Sequence, residues 1–463
     1  MKKLLLLLIC LATFTNTYAQ DITGQWNGVL KEINLRLVIH ITKTDNGYSS
    51  TLDSPDQGAT GIPVTTTTFE NDTLNFAVDN LGLTYSGTFT DETFKGTFTQ
   101  GALKLPLKLG REVIEKSINR PQEPKEPYPY YSEDVSFENR NANLNLAGTL
   151  TLPNKEGKFP VVILISGSGP QDRNEELLGH KPFLIISDYL TKNGIGVLRF
   201  DDRGVGKSTG NYSTATSADF ASDVESAIIY LKSRKEIDAT KIGLVGHSEG
   251  GVIAPMVTSK SDDVSYIALL AGTGIRGDKL LLLQQERIGR AMGISETQLQ
   301  KSKEISAPIF AMIVNSTQSQ DLKTDVKEYL IQEVNKLSDD EIPMGMGKDE
   351  ATIKGQVDQL TSPWMIYFMK HNPATVLENV KCPVLAINGE KDLQVPPNEN
   401  LSAIKSALEK GGNSKVTTIE FANLNHLFQE STTGAPSEYG TIEQTFAPVA
   451  LETLSNWISE QVK

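Results

Sequence analysis

The chain has 463 residues, 38% hydrophobic and 22% charged, which excludes a wholly disordered chain and a multi-span membrane protein. Its 57 Asp and Glu against 44 Lys and Arg give a net charge of −13, which argues against nucleic-acid binding, because phosphate neutralisation needs a basic surface. At about 150 residues per domain, the length implies two or three domains.

Residues 1–19 read as a secretory signal peptide. Met1-Lys2-Lys3 is a basic start, and the apolar run Leu4 to Ala12 is too short to span a bilayer. Thr17 and Ala19 place small residues at −3 and −1, so cleavage is expected after Ala19, with a periplasmic or extracellular destination and no membrane span afterwards. Cys10 does not mark a lipoprotein site, because Ile9 stands where a small residue is required. Cleavage removes Lys2 and Lys3, leaving 42 basic against 57 acidic residues, a charge of −15. It also removes Cys10, so Cys382 stands alone and no disulfide can form within the mature monomer.

Residues 20–118 read as an all-β domain. Leu35, Leu37, Ile39 and Ile41 alternate with polar residues, as do Tyr85, Gly87 and Phe89, then Phe94, Gly96 and Phe98, then Leu103 to Leu109. A period of two buries one face and wets the other. Turn signals separate the runs at Asp45-Asn46-Gly47, Asn71-Asp72 and Asp91-Glu92. Gly24-Gln25-Trp26 beside a first strand resembles the start of a lipocalin-like barrel, whose interior either holds a ligand or is filled by side chains. Residues 119–132 form a proline-rich linker, with Pro121, Pro124, Pro127 and Pro129 favouring extended chain.

From residue 133 to 463 the pattern is that of an α/β fold. Leu144 to Leu152 is one half of a hairpin. Continuous apolar runs follow at Val161 to Ile165, Val197 to Phe200, Ile242 to Val245, Tyr266 to Leu270 and Val384 to Ile387, as expected of strands buried on both faces of a parallel sheet. Helical spacing occupies 217–235, and chemistry is expected at the C-terminal ends of the strands. Between about 274 and 376 the strand series is interrupted by amphipathic helical segments at Leu280 to Arg290, Thr297 to Val314 and Asp321 to Leu337. An insertion this long is read as a helical cap over the active edge.

Two segments match G-x-S-x-G. Gly246-His247-Ser248-Glu249-Gly250 is entered directly from the apolar strand Ile242 to Val245 and leaves into a small-residue helix start, as a nucleophile elbow requires. Gly206-Lys207-Ser208-Thr209-Gly210 has neither flank, which rejects Ser208. The overlapping Gly206-Lys207-Ser208 is not a phosphate loop either, because Asp201 stands where its first glycine belongs and Asp202 adds repulsion.

Partners of a nucleophile in this fold follow in the order Ser, Asp or Glu, His. Asp392, on the loop after Val384 to Ile387, is the expected acid, with Glu390 the fallback. His426, after the strand Val416 to Phe421, is the histidine that follows both. His426 would take the serine proton and return it to the leaving group, while Asp392 fixes the imidazole tautomer. The oxyanion is expected to meet the backbone N–H groups of Glu249 and Ser168, with Gly167 close behind. Asp172, Arg173, Asn174 and Glu175 form a polar rim that either binds substrate or braces the loop by ion pairs. His40, His180, His371 and Cys382 show no paired spacing, so neither metal nor cofactor is expected.

These segments resemble the secreted bacterial carboxylesterases of the α/β-hydrolase superfamily, in the branch near serine aminopeptidases. The resemblance rests on Gly167 to Glu175, Asp202 to Ser208, Gly246 to Gly251, Cys382 to Leu385, Gly389 to Asp392, and Asn425-His426, and covers about 133 to 463. Ser166 departs from the pattern, since many relatives carry His there. The resemblance implies that Asp202-Arg203-Gly204 is a structural loop beside the site. It also suggests Trp364, Met365, Tyr367 and Phe368 as an apolar wall, with Trp364 and Phe368 as the substrate contacts. A small-molecule carboxylic ester is the expected substrate. An aminopeptidase of the same fold needs carboxylates for the substrate amine, for which Glu249, Asp339, Asp340 and Glu341 are candidates. A thioesterase, or a secreted ligand-binding protein with a vestigial hydrolase domain, are further alternatives.

Overall fold

The computed structural model describes residues 21–463 apart from 34, 58, 101–102, 115–118, 318, 339–340 and 344. The proposed signal segment, and Asp339 and Asp340, therefore lie outside the described residues.

The alternating runs of the N-terminal third form two antiparallel sheets. The first contains β1 (Gly24–Leu30), β2 (Leu35–Thr44), β3 (Gly47–Ser54) and β4 (Ala59–Pro63) in that order. The second contains β5 (Thr66–Glu70), β6 (Thr73–Val78), β7 (Leu83–Thr90), β8 (Thr93–Gln100) and β9 (Leu103–Leu109). Asn27 and Gly110 exchange backbone hydrogen bonds at 2.7 and 2.8 Å and join the first sheet to the end of the second. Asn71-Asp72 and Asp91-Glu92 sit at positive φ in two-residue hairpin turns, the backbone that matches the twist of paired strands. Trp26, Phe76, Tyr85, Phe94 and Phe98 are buried together, so side chains fill this region's interior.

After the linker, eight strands form one mixed sheet in the order β10, β11, β13, β12, β14, β15, β16, β17. They are β10 (Tyr131–Asn139), β11 (Leu144–Leu152), β12 (Phe159–Ile165), β13 (Gly196–Phe200), β14 (Ile237–His247), β15 (Tyr266–Leu270), β16 (Val384–Gly389) and β17 (Val416–Phe421). The hairpin β10–β11 is antiparallel to the rest, and β12 to β17 pair in parallel.

Helices cover both faces, which is why the strands read as unbroken apolar runs. On one face α1 (Pro182–Lys192) packs against Val162, Leu164, Val245 and Ile387. On the other, α2 (Ser217–Lys232) and α3 (Gly250–Thr258) cover Ile163, Leu244 and Leu269. The amphipathic insertion forms α4 (Gly277–Ala291), α5 (Glu296–Asn315), α6 (Ser319–Asn335), α7 (Glu350–Leu360) and α8 (Pro363–Lys370). These build their own apolar cluster around Ile309, Phe310, Val326, Leu330 and Met369. Then α9 (Pro373–Leu377) leads back into the sheet, and α10 (Pro397–Lys410) and α11 (Pro448–Gln461) complete the two helical layers.

The linker is tied down rather than free. Arg120 donates to the carbonyl oxygens of Leu178, Gly179 and Ile442. Gln122 bonds the backbone of Thr445 and Phe446.

Candidate active site

β14 runs straight into Gly246 and His247, and α3 starts at Gly250, leaving Ser248 at the turn between them. Ser248 has φ +51°, a backbone that non-glycine residues adopt only when their surroundings enforce it. Two contacts do so: Ser248 N–H donates to Leu270 O at 2.8 Å, and Ser248 O accepts from Gly251 N–H at 2.9 Å. The glycines are required by space. A Cβ on Gly246 would lie 2.0 Å from Gly250 O, and one on Gly250 would lie 2.1 Å from Ile165 O.

Asp392 lies just beyond the C-terminal end of β16, its side chain fully buried. Its Oδ2 is 2.8 Å from His426 Nδ1. Its Oδ1 accepts from the backbone N–H groups of Gln394 at 2.9 Å and Val395 at 2.8 Å. Both carboxylate oxygens are thus engaged. Glu390 is exposed and accepts from Asn423 N–H, so it does not share this geometry. The His426 loop is held by Asn425, whose Oδ1 accepts from Leu427 N–H and Gln429 N–H at 3.0 and 2.9 Å. Ser168, His247, Ser248, Gln394 and His426 line one cavity of about 90 Å³.

The loop after β12 completes the wall. Gly167 N–H donates to Glu175 Oε1 at 2.6 Å and is therefore occupied. The N–H groups of Ser168 and Glu249 have no acceptor among the described residues. Gly169 N–H is held by Tyr212 Oη at 2.9 Å. Ser166 Oγ donates to Asp202 Oδ1 at 2.8 Å.

The polar rim mainly braces. Arg173 forms a bidentate pair with Asp201 at 2.9 and 2.8 Å, and Asn174 accepts from Arg199. Glu175 also faces His247 Nδ1 at 2.9 Å, while His247 Nε2 is 3.0 Å from His426 O. Burial opposes a charged His247, but the Glu175 charge and hydrogen bond outweigh it and hold the ring above the usual histidine range. This His247–Glu175 pair was not anticipated from the sequence. Its signal was a histidine inside the elbow in a chain with only five.

Asp202 is buried beside this network, and burial pushes its carboxyl up to about 8 despite donors from Gln171 N–H and Ser166. An unfolded chain loses that proton near the ordinary value of 3.8. Between those values the folded protein holds the extra proton, so stability is greatest at the acid end and declines as pH rises through the interval. Melting curves at pH 5 and pH 8 should show this loss, and Asp202→Asn should reduce it. An equal loss in both proteins would assign the pH dependence elsewhere.

Glu249 is buried, and its Oε1 accepts from Ser217 Oγ at 2.6 Å and Trp364 Nε1 at 2.8 Å. Burial raises its pKa. The carboxyl thus ties the cap helix α8 to the elbow and does not line the Ser248 cavity. Trp364 and Phe368 stack with ring centroids 5.2 Å apart. Neither lines that cavity; Phe368 packs with Leu280 and Val395. Glu341 is engaged by Lys301 and Ser338.

The remaining candidates are structural. Ser208 Oγ donates to Asp201 O and accepts from Ala147 N–H. His180 bonds Thr445 and Tyr439 O, His371 stacks on Tyr367, and His40 pairs with Asp53. Burial pushes the Cys382 thiol up to about 12, which leaves it unreactive. Among the described residues no group of three metal-ligating side chains converges.

A mostly parallel sheet with a serine on a strand-to-helix elbow, beneath a helical insertion, defines an enzyme of the α/β-hydrolase class. The family described as serine aminopeptidase, S33 matches residues 183–431, and the chain belongs to it. Esterase EstD of Thermotoga maritima is 27% identical over 337 residues, 71% of this chain and 70% of that protein. An esterase of Pyrococcus furiosus is similar at TM-score 0.43 and 18% identity, covering 75% of this chain and 97% of that one. Est1E of Butyrivibrio proteoclasticus, solved with ferulic acid bound, gives TM-score 0.42 at 15% identity, covering 71% and 99%.

Proposed function

We propose that the protein is a secreted serine esterase that cleaves small or medium carboxylic esters through an acyl-enzyme intermediate. The observation that carries this reading is the 2.8 Å bond from Asp392 to His426, with His426 and the strained Ser248 lining one cavity. Ser248 Oγ attacks the ester carbonyl as His426 takes its proton. His426 then protonates the leaving alcohol, and water releases the acid by the reverse route. Asp392 stabilises the charged ring. The N–H groups of Ser168 and Glu249 meet the oxyanion, and the occupied Gly167 N–H favours Ser168 over its neighbour. Similarity to an esterase supports ester over amide chemistry. Export rests on the basic start, short apolar run and Ala19 site, and a mature N-terminus at Gln20 would establish it by mass spectrometry.

The family description keeps an aminopeptidase as the second reading. Glu175 is the carboxylate in the cavity lining, but its Oε1 is already engaged by Gly167 and His247. Glu249 is spent on Ser217 and Trp364. Parallel assays with p-nitrophenyl acyl esters and aminoacyl p-nitroanilides should show ester turnover dominating. Faster anilide turnover would replace the esterase reading.

A further inference from the structure

Part of the lining of the Ser248 cavity comes from Leu177, His180 and Pro182, at the start of α1, and from Thr445, ahead of α11. The cavity measures about 90 Å³, well below the space of sites for drug-sized ligands, so small movements of its wall decide which groups enter. His180 and Thr445 stand 265 positions apart in the chain. Among the described residues no backbone hydrogen bond joins the two wall segments. Side chains join them instead. His180 Nδ1 is 2.9 Å from Thr445 Oγ1, and its Nε2 is 2.8 Å from Tyr439 O.

The first segment is a strained turn. Leu178 has φ +54° and Gly179 φ +77°, between Leu177 and His180, whose backbones exchange hydrogen bonds at 3.0 and 2.9 Å. A leucine takes that backbone only when its surroundings enforce it. Arg120 is among those surroundings. Its Nη2 donates to Leu178 O at 3.0 Å and its Nε to Gly179 O at 3.2 Å, so one guanidinium holds both central carbonyls of the turn. Its Nη1 reaches the second segment and donates to Ile442 O.

Gln122 continues the clamp. Its Oε1 accepts from Thr445 N–H at 2.7 Å and Phe446 N–H at 3.1 Å, and its Nε2 donates to Phe446 O at 2.6 Å. Glu123 adds an ion pair to Lys181 at 3.3 Å. Arg120 is half-buried, and burial lowers its pKa to about 10. It is therefore charged at neutral pH, and its hydrogen bonds are charge-assisted.

We infer that Arg120 and Gln122, on the proline-rich segment between β9 and β10, are positioning residues for the reaction at Ser248. Neither lines the cavity. They act through Leu177, His180 and Thr445, and fix the width of the space beside the nucleophile. The clamped wall admits small ester groups and resists bulky ones. This rests on the esterase reading. A segment that only spaced the β-sheet region from the hydrolase would need no such bonds.

The test uses Arg120→Met and Gln122→Met in the full-length protein, which keep side-chain length and remove the clamp's polar atoms. Selectivity is read as kcat/KM on phenyl acetate relative to phenyl pivalate, which enlarges the acyl group, and relative to 1-naphthyl acetate, which enlarges the alcohol. Misplacement by about 1 Å near a reacting centre costs on the order of 100-fold. At least one ratio should therefore fall tenfold or more, the same one in both variants. Partial misfolding would scale all three esters alike and leave the ratios unmoved. Amide hydrogen exchange should quicken at least tenfold in residues 177–182 and 442–446 for Arg120→Met, and in 442–446 for Gln122→Met. The second variant carries the test should the first not fold. Faster exchange with unmoved ratios overturns the positioning role and leaves a purely structural tie. Unaltered exchange overturns the clamp, whatever the ratios do. If the parent itself turns over no ester, the esterase reading fails, and faster exchange in these segments still supports the clamp on the cavity wall.

Discussion

Ser248→Ala should lower kcat/KM on an activated ester by roughly four to six orders of magnitude, leaving a small residue over the uncatalysed rate. The size follows from the roles acting as a unit. On the proposed mechanism, removing the hydroxyl removes both the acyl-enzyme and the serine proton that His426 takes. What survives is binding and the N–H groups of Ser168 and Glu249. His426→Ala should cost a similar amount, and the double variant little more than either single one, since neither residue works alone. Asp392→Asn should cost roughly 10⁴-fold, because the amide presents the wrong partner to His426 Nδ1. Stopped assays with p-nitrophenyl acetate would measure these. A fluorophosphonate should add one covalent adduct per chain to the parent and none to Ser248→Ala. Residual turnover within tenfold of the parent in Ser248→Ala would remove the serine from the mechanism.

Arg203→Ala should produce the largest loss of stability outside the site. Arg203 Nε is 2.7 Å and Nη2 2.8 Å from the two oxygens of Asp223. The side chains are only 7% and 2% exposed. Asn139 also donates to Asp223 at 2.7 Å, so β10, the loop after β13 and α2 meet at one carboxylate. Burial already raises the Asp223 pKa with Arg203 present. Removing the guanidinium leaves an uncompensated buried charge, a loss of about 3–5 kcal/mol. Arg203→Met combined with Asp223→Leu should recover much of it, because an apolar pair of similar volume avoids the desolvation cost. Urea denaturation followed by tryptophan fluorescence would measure the series. A falling kcat with an unmoved urea midpoint would mean that this loop acts in catalysis rather than in folding.

The strand cores were legible because their pattern is local. Tyr266–Leu270 is the strand its apolar run predicted, and 217–235 contains the helix Ser217–Lys232. β14 begins five residues earlier than Ile242, because Ile237 pairs with Phe159 beyond the continuous apolar run. The cap's first three helices followed from amphipathic spacing. Pro308 lies inside α5, and α7 and α8 are short, marked mainly by Asp349 and Ser362 as N-caps. Caps of that kind say where a helix starts but not what it packs against.

Within the site, Ser248, Asp392 and His426 could be ranked from order along the chain, because the fold constrains which strand end each residue occupies. The geometry that joins Asp392 to His426 lies across two neighbouring parallel strands, and its existence was inferable from the motif order. The surrounding carboxylates were not. Glu175 was left open between substrate binding and bracing, and it engages Gly167 and His247. Glu249 was a candidate for an amine, and it bonds a cap tryptophan 115 positions away.

Length, composition and charge bounded the class and argued against nucleic-acid binding, while local periodicity and chain order set the sheet, the elbow and the expected order of its partners. Those properties are carried by neighbours in sequence or by the topology that a parallel sheet allows. Tertiary structure alone decided which buried carboxylates are occupied, and that Trp364 and Phe368 are not among the residues lining the Ser248 cavity. Hydrogen-bond partners and cavities depend on side chains brought together from distant segments. No local pattern encodes a partner hundreds of residues away.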